Sequence, residues 1–206
     1  ELREILLGND QPTFGEWDYQ YSNPILNRSQ TQAIQKLLEA KDVAVIHGPP
    51  GTGKTTTLVQ AILETAKREN QILICAPSNT AVDLLTLRCA AEGLNVLRVG
   101  NPARVEEELH FHTLDETISR HPDHPSLRKM RKEAEALYRQ ANKYKRTFDQ
   151  DAYHKRRKLL KEARDFKNYA ETLEEYILNQ VVDRAQVVAC TLTGAANHII
   201  SKRKFY

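Results

Sequence analysis

Eight consecutive residues, Gly48-Pro49-Pro50-Gly51-Thr52-Gly53-Lys54-Thr55, set three glycines, a lysine and a hydroxyl at the spacing GxxxxGK[ST]. The glycines permit a tight turn whose backbone N–H groups point inward, the arrangement that wraps a triphosphate. A helix beginning near Lys54 adds the positive end of its dipole. In such a loop Lys54 reaches the β- and γ-phosphates, and Thr55 offers its hydroxyl to Mg²⁺, a hard cation that prefers oxygen. Gly48, Pro49, Pro50, Gly51, Thr52, Gly53 and Thr56 complete the cradle. The chemistry expected is binding of ATP with Mg²⁺. A chance glycine-rich turn is the alternative, and the full match between an expected strand and an expected helix weighs against it.

That loop needs a strand to deliver it and a helix to leave it. Val43-Ala44-Val45-Ile46 is a short apolar run of the type buried on both faces of a parallel sheet, and Gly48 ends it. Ahead of it, Ala33, Ile34, Leu37 and Leu38 mark one face of an amphipathic helix over residues 27–40. The pattern then predicts a helix over 54–68, a strand over 71–76 ended by Pro77, and a helix capped by Asn79 or Thr80 and stopped by Gly93. A strand over 95–99 follows, and Val187-Val188-Ala189-Cys190 resumes the series much later. Strands alternating with helices predict an α/β fold, a P-loop parallel sheet with helices on both faces.

The interruption after Gly100 has a different period. Leu127, Met130, Ala134, Leu137, Ala141, Tyr144 and Phe148 form one heptad seam; Leu159, Ala163, Phe166, Ala170, Leu173 and Ile177 form another. Two long helices broken near residues 149–152 are expected to fold back as an antiparallel hairpin, each burying the other's seam. Between Arg128 and Lys167 there are 15 Lys or Arg against 6 Asp or Glu, so a chain of net charge +3 carries +9 here and −6 elsewhere. Such a run is either a solvated coiled-coil surface, suited also to docking a protein, or a face turned to nucleic acid. Tyr138, Tyr144 and Tyr153 are candidates for base stacking, although Tyr144 lies on the seam. Apolar runs fall far short of the roughly 20 residues that span a bilayer, and no signal-peptide pattern opens the chain. Cys75, Cys89 and Cys190 have neither disulfide nor zinc spacing and read as small core residues.

A phosphate loop alone does not say what work is done. Its flanks narrow the choice: Leu26-Asn27-Arg28-Ser29-Gln30 before the first helix, Ala76-Pro77-Ser78-Asn79-Thr80-Ala81-Val82-Asp83 after the second strand, Leu97-Arg98-Val99-Gly100-Asn101-Pro102-Ala103-Arg104, and Ala189-Cys190-Thr191-Leu192-Thr193-Gly194-Ala195. In this order they resemble superfamily 1 helicases of the Upf1-like branch, including the immunoglobulin-mu-binding-protein type. The resemblance covers nearly the whole chain. It implies a RecA-like first motor domain with an inserted helical subdomain. It makes Gln30 the adenine reader, with one amide donor and one acceptor, and Asn27 a shaper of that pocket. It places Pro77, Ser78, Asn79, Thr80, Thr191, Thr193 and Gly194 on single-stranded RNA or DNA. The other role open to Asn27, Gln30 and the residues 77–80 is helix capping.

P-loop ATPases also need an acidic strand end to hold Mg²⁺ and orient water. Asp115-Glu116 follows a stretch too polar for a central strand and reads as a helix start, and Glu174-Glu175 lies in a heptad helix. In the resembling family the acidic motif comes just beyond Tyr206, so the sequence is expected to be a truncated motor that binds nucleotide, hydrolyses it poorly and does not unwind alone. The organisation expected is a lead-in segment over 1–24, the ATP-binding domain over 25–118 and 183–206, and the basic hairpin over 119–182. The setting expected is the cytoplasm, or the nucleus in a eukaryote. Two other readings stay open: another P-loop ATPase, of chromosome-partition or AAA type, and a non-catalytic, nucleotide-switched docking module.

Overall fold

Residues 187–191 carry Val187-Val188-Ala189-Cys190-Thr191, whose apolar side chains fall on both faces of a strand and find cover on both. The computed structural model describes residues 2–16, 19–100, 107–143 and 150–205. In chain order the elements are α1 (Leu2–Leu6), α2 (Arg28–Glu39), α3 (Lys54–Ala66), β1 (Ile72–Ala76), α4 (Asn79–Ala91), β2 (Val96–Arg98), α5 (Leu114–Ser119), α6 (His124–Lys143), α7 (Gln150–Arg184), β3 (Val187–Thr191) and α8 (His198–Ser201). Short 3-10 turns cover Glu107–His112 and Gly194–Ala196. The chain divides into two compact units, residues 1–98 with 186–206, and residues 99–185.

The first unit is an α/β layer. Its three strands are parallel in the order β1-β3-β2, so the last strand in sequence lies between the first two. Alternate residues Ile72, Ile74 and Ala76 of β1 meet Val187 and Ala189 of β3, and Val59 and Ile62 of α3 with Val82, Leu85 and Cys89 of α4 close over them. A second apolar cluster joins Ile34 of α2 to Ala61 of α3, with Tyr21 and Leu26. The lead-in segment is latched beneath α2: Lys41 N–H donates to the Thr13 carbonyl at 2.9 Å and Gly15 N–H to the Glu39 carbonyl at 2.7 Å. The Thr13 hydroxyl donates to Asp42 Oδ2 at 2.5 Å. That bond, joined by the backbone N–H groups of Thr13 and Val43, holds the Asp42 carboxyl below its usual range. Because the folded value is depressed, the latch is complete above the ordinary carboxylate range and weakens as pH falls through the lowered one.

The run at residues 43–46 is not a strand. It pairs with none of β1, β2 and β3, and Val45 is 87% exposed and Ile46 41%. Apolar composition suits a buried strand, but a strand forms only where a neighbour completes its backbone hydrogen bonds, and no described strand lies beside this run. The cap of α4 also differs from expectation. Ser78, not Asn79 or Thr80, precedes the helix in extended backbone, and its hydroxyl accepts from Ala81 N–H at 3.2 Å.

In the second unit α6 and α7 pack along the expected seams. Leu127, Ala134 and Ala141 of α6 and Ala163, Ala170 and Ile177 of α7 are buried, and Arg131 pairs with Glu174 across an antiparallel hairpin. Phe166, expected on the seam, is 37% exposed. Tyr144, Phe148 and Asp149 lie outside the described residues, as does 101–104 of the quoted motif; residues 150–152, where part of the break was expected, are helical in α7. Asp115 and Glu116 occupy the first turn of α5, capped by Thr113, as the polar sequence before them indicated. Among the described residues no helix is long and apolar enough to cross a membrane.

Alanines at 134, 141, 163 and 170 let the two hairpin helices approach closely, so added bulk has nowhere to go. Ala163→Leu is expected to destabilise the hairpin by about 1–3 kcal/mol, read as a lower midpoint in thermal circular dichroism at 222 nm.

Candidate nucleotide and nucleic-acid site

Asn27 begins the site. Its side-chain oxygen accepts from Gln30 N–H and Gln30 Oε1 accepts from Asn27 N–H, each at 3.0 Å, a reciprocal box that starts α2. The same Gln30 amide donates through Nε2 to the Thr52 carbonyl at 3.0 Å. The capping residues and the phosphate loop are therefore one connected group. Capping and adenine reading are compatible here, because each end of the Gln30 amide keeps one unused lone pair or N–H.

Gly51 and Gly53 both take left-handed backbone, with φ of 79° and 78°, and Gly53 is the residue from which α3 departs. A Cβ on Gly53 would stand 2.6 Å from Gln30 Nε2, and one on Gly48 would stand 2.9 Å from Thr52 Oγ1. The glycines thus serve close approach as well as the turn. Lys54 Nζ donates to the carbonyls of Gly48 and Pro49, both at 2.7 Å, and Thr52 Oγ1 donates to Pro49 O at 2.8 Å. The ammonium is folded back over the loop's own backbone. Pro49, Pro50 and Thr52 lie on the exposed rim, while Thr55 and Thr56 are half-buried on the first turn of α3. Arg88 of α4 donates to Thr56 Oγ1 at 3.4 Å, a long contact between the two helices.

A second group forms at the carboxyl ends of the parallel strands, the end at which open α/β sheets take ligands. Register pairs Ala76 with Thr191, and Leu192 N–H donates to Ala76 O at 3.0 Å, so two loops far apart in sequence start side by side. One presents Pro77, Ser78 and Thr80 exposed, with Asn79 half-buried. In the other, Thr191 Oγ1 accepts from Gly194 N–H at 3.1 Å and lies 3.3 Å from Thr193 Oγ1. A Cβ on Gly194 would come within 3.0 Å of that hydroxyl.

Beneath this end lies a group that motif spacing does not single out. Arg98, the last residue of β2, is 1% exposed, and its Nε donates to Asp83 Oδ1 at 2.8 Å, with Asp83 3% exposed. Its Nη2 donates to Asn79 Oδ1 at 2.8 Å. The signal was present: one arginine inside the apolar run 95–99, and one aspartate among Val82, Leu85 and Thr86 on the buried side of α4. Nearby, Cys75 and Cys190 are register partners with sulfurs 3.8 Å apart. Burial, and then Cys75 itself, pushes the Cys190 thiol up to about 12, so it stays protonated at neutral pH.

A family profile described as "AAA domain" matches residues 25–206. The chain is 37% identical over 205 residues to "DNA-binding protein SMUBP-2" of Mesocricetus auratus, covering 95% of this chain and 19% of that protein. It is 33% identical to "DNA polymerase alpha-associated DNA helicase A" of Schizosaccharomyces pombe, covering 95% and 28%. To "ATP-dependent helicase upf1" of the same yeast it is 32% identical, covering 88% and 18%. The chain belongs to the superfamily 1 helicases of the Upf1-like branch. This is an enzyme family, and the α/β fold is the one that membership implies. The chain spans less than a third of the length of these relatives.

The two strained glycines are not equivalent. Around Gly51 a Cβ would meet nothing within 4 Å, so Gly51→Ala bears only the left-handed backbone cost of about 1–2 kcal/mol. Gly53→Ala carries that cost and must also displace the Gln30 amide from Thr52. Urea unfolding is expected to rank Gly53→Ala below Gly51→Ala, and both below the unsubstituted chain.

Proposed function

We propose that this chain is the ATP-binding portion of a helicase motor that takes Mg-ATP in the loop 48–55 and single-stranded RNA or DNA across the carboxyl end of its sheet. The observation that carries the nucleotide reading is the Lys54 ammonium resting on the Gly48 and Pro49 carbonyls at the head of α3. A phosphate tail replaces those two carbonyls with charged oxygens, a stronger, charge-assisted interaction. The backbone N–H groups of residues 51–55 close around the tail, Lys54 pairs with its outer phosphates, and the Thr55 hydroxyl is the ligand this loop offers to Mg²⁺. Gln30, with Asn27 behind it, reads the adenine edge. Bound Mg-ATP supplies the phosphoanhydride whose cleavage drives such motors.

The described strands end in Ala76, Arg98 and Thr191, none of which can hold a metal-bound water as a carboxylate does. On this reading these residues by themselves bind nucleotide with little turnover and do not unwind a duplex. The residues 77–80 and 191–194 hold the strand by hydroxyl, amide and backbone groups, contacts that position nucleic acid with little regard to base. The basic hairpin clamps the same class of ligand. Tyr153 of α7 is 59% exposed beside His154, while Tyr138 is half-buried on α6. A cytoplasmic or nuclear site of action suits these ligands.

Titration with a fluorescent ATP analogue and Mg²⁺ is expected to saturate the unsubstituted chain and to weaken at least about tenfold in Lys54→Ala, which removes a charge-assisted hydrogen bond to phosphate. Indistinguishable isotherms would refute the nucleotide reading, and brisk nucleic-acid-stimulated turnover by these residues would refute the division of labour. For the hairpin, Arg157→Ala with Lys161→Ala is expected to lower the slope of log affinity against log salt for a single-stranded oligonucleotide. The decrease should be roughly 0.7 for each phosphate that the double variant leaves without a cation. An unchanged slope would favour a protein-docking hairpin.

A further inference from the structure

We propose that Arg98 is a positioning residue for the strand-binding end of the sheet, turning the Asn79 carboxamide so that its –NH₂ faces outward as a donor to a backbone phosphate oxygen. The inference rests on reading that end as a single-stranded nucleic-acid site, and it assigns a group within it.

A guanidinium stays charged at any pH a protein survives, and burying it costs several kcal/mol unless it is paired and hydrogen-bonded. Asp83, at 2.8 Å from Nε and almost fully buried, supplies a neutralising charge for Arg98. The bond to Asn79 adds nothing to that neutralisation. What it does is constrain orientation. A guanidinium has donors and no acceptor, so the atom of Asn79 that faces Arg98 must be the carbonyl oxygen. The amide nitrogen then points away from β2. Asn79 is half-buried, its nitrogen has no partner among the described residues, and it is not among their buried unsatisfied atoms, so it reaches solvent. It does so between Ser78 and Thr80, at the first residue of α4 and three residues after Ala76, the register partner of Thr191.

The geometry calls for arginine specifically. Nε holds Asp83 on the buried side of α4 while Nη2 holds Asn79 on its first residue, so a planar fork spans both. Lysine, with a single nitrogen, cannot hold both in the same directions. Because β2 is paired to β3 up to Arg98 and Ala189, the fork also references the amide to the strand that carries Thr191.

The decisive variant is Asn79→Asp. Its carboxylate still accepts from Arg98, so the unfolding midpoint is expected to equal or exceed that of the unsubstituted chain. It has no donor and adds negative charge, so affinity for a labelled single-stranded oligonucleotide, read by fluorescence anisotropy, is expected to fall tenfold or more. Asn79→Ala is expected to lose about three- to tenfold in affinity with an unchanged salt slope, because a neutral donor releases no counterion. Arg98→Lys should weaken binding comparably, and should add no further loss once Asn79 is alanine, the signature of two residues acting as one. Mg-ATP affinity should be unmoved in all three. A folded Asn79→Asp protein that binds oligonucleotide as well as the unsubstituted chain would overturn the proposal and leave Asn79 as a brace for Arg98. An unsubstituted chain that binds Mg-ATP but no oligonucleotide would overturn the sheet-end reading itself.

Discussion

Strand Val187–Thr191 has hydrogen-bonding neighbours on both edges, and everything at the carboxyl end of the sheet follows from that double pairing. Two strands formed from residues 72–98 would otherwise lie apart, joined only through α4. Insertion of the later strand between them brings Cys190 beside Cys75, 115 residues away in the chain, and Thr191 beside Ala76. The cost of closing so long a loop grows only slowly with its length. The gain is a strand whose Val187, Val188, Ala189 and Cys190 are all 0% exposed. In sequence, the unit formed by residues 99–185 therefore separates β1 and β2 from β3 of the same sheet.

The loop at residues 48–55 shows a different economy. Its Lys54, its Thr52 and the Gln30 amide are engaged with the loop's own carbonyls, so these three side chains are satisfied within the chain. On the proposed reading, nucleotide binding exchanges hydrogen bonds rather than creating them, and the net gain comes from replacing neutral carbonyls by charged oxygens. The tie from Gln30 to Thr52 couples the start of α2 to the loop, because one amide serves the cap of α2 and the loop together.

Charge is used in two ways in the two units. Arg98 is buried, paired, and oriented by a carboxylate and an amide, so its effect is local and geometric. The hairpin's charges are mostly exposed, and pairs such as Arg139 with Glu135 and Lys158 with Glu162 are of the surface kind that contributes little to stability. The field of their surplus charge is screened by salt.

Much of this was legible beforehand, for identifiable reasons. The phosphate loop is local: residue types at fixed spacing set its turn and its cradle, and the structure only added that Gln30 is tied to it. The heptad seams were legible because a period of 3.5 residues repeats over many turns, although Phe166 shows that the pattern does not decide which seam positions are fully covered. The run at 43–46 was misjudged because apolar composition describes a strand's faces and says nothing about its edges, which only a paired neighbour can complete. The Ser78 cap turned on a single backbone dihedral. The sequence by itself determined the residue types and spacing of the loop, the places of β1, β2 and β3 along the chain, and the family to which they belong. Only the tertiary structure decided that β3 lies between β1 and β2, and that Arg98, Asp83 and Asn79 meet, because such pairings depend on distance in space, which residue spacing along the chain does not record.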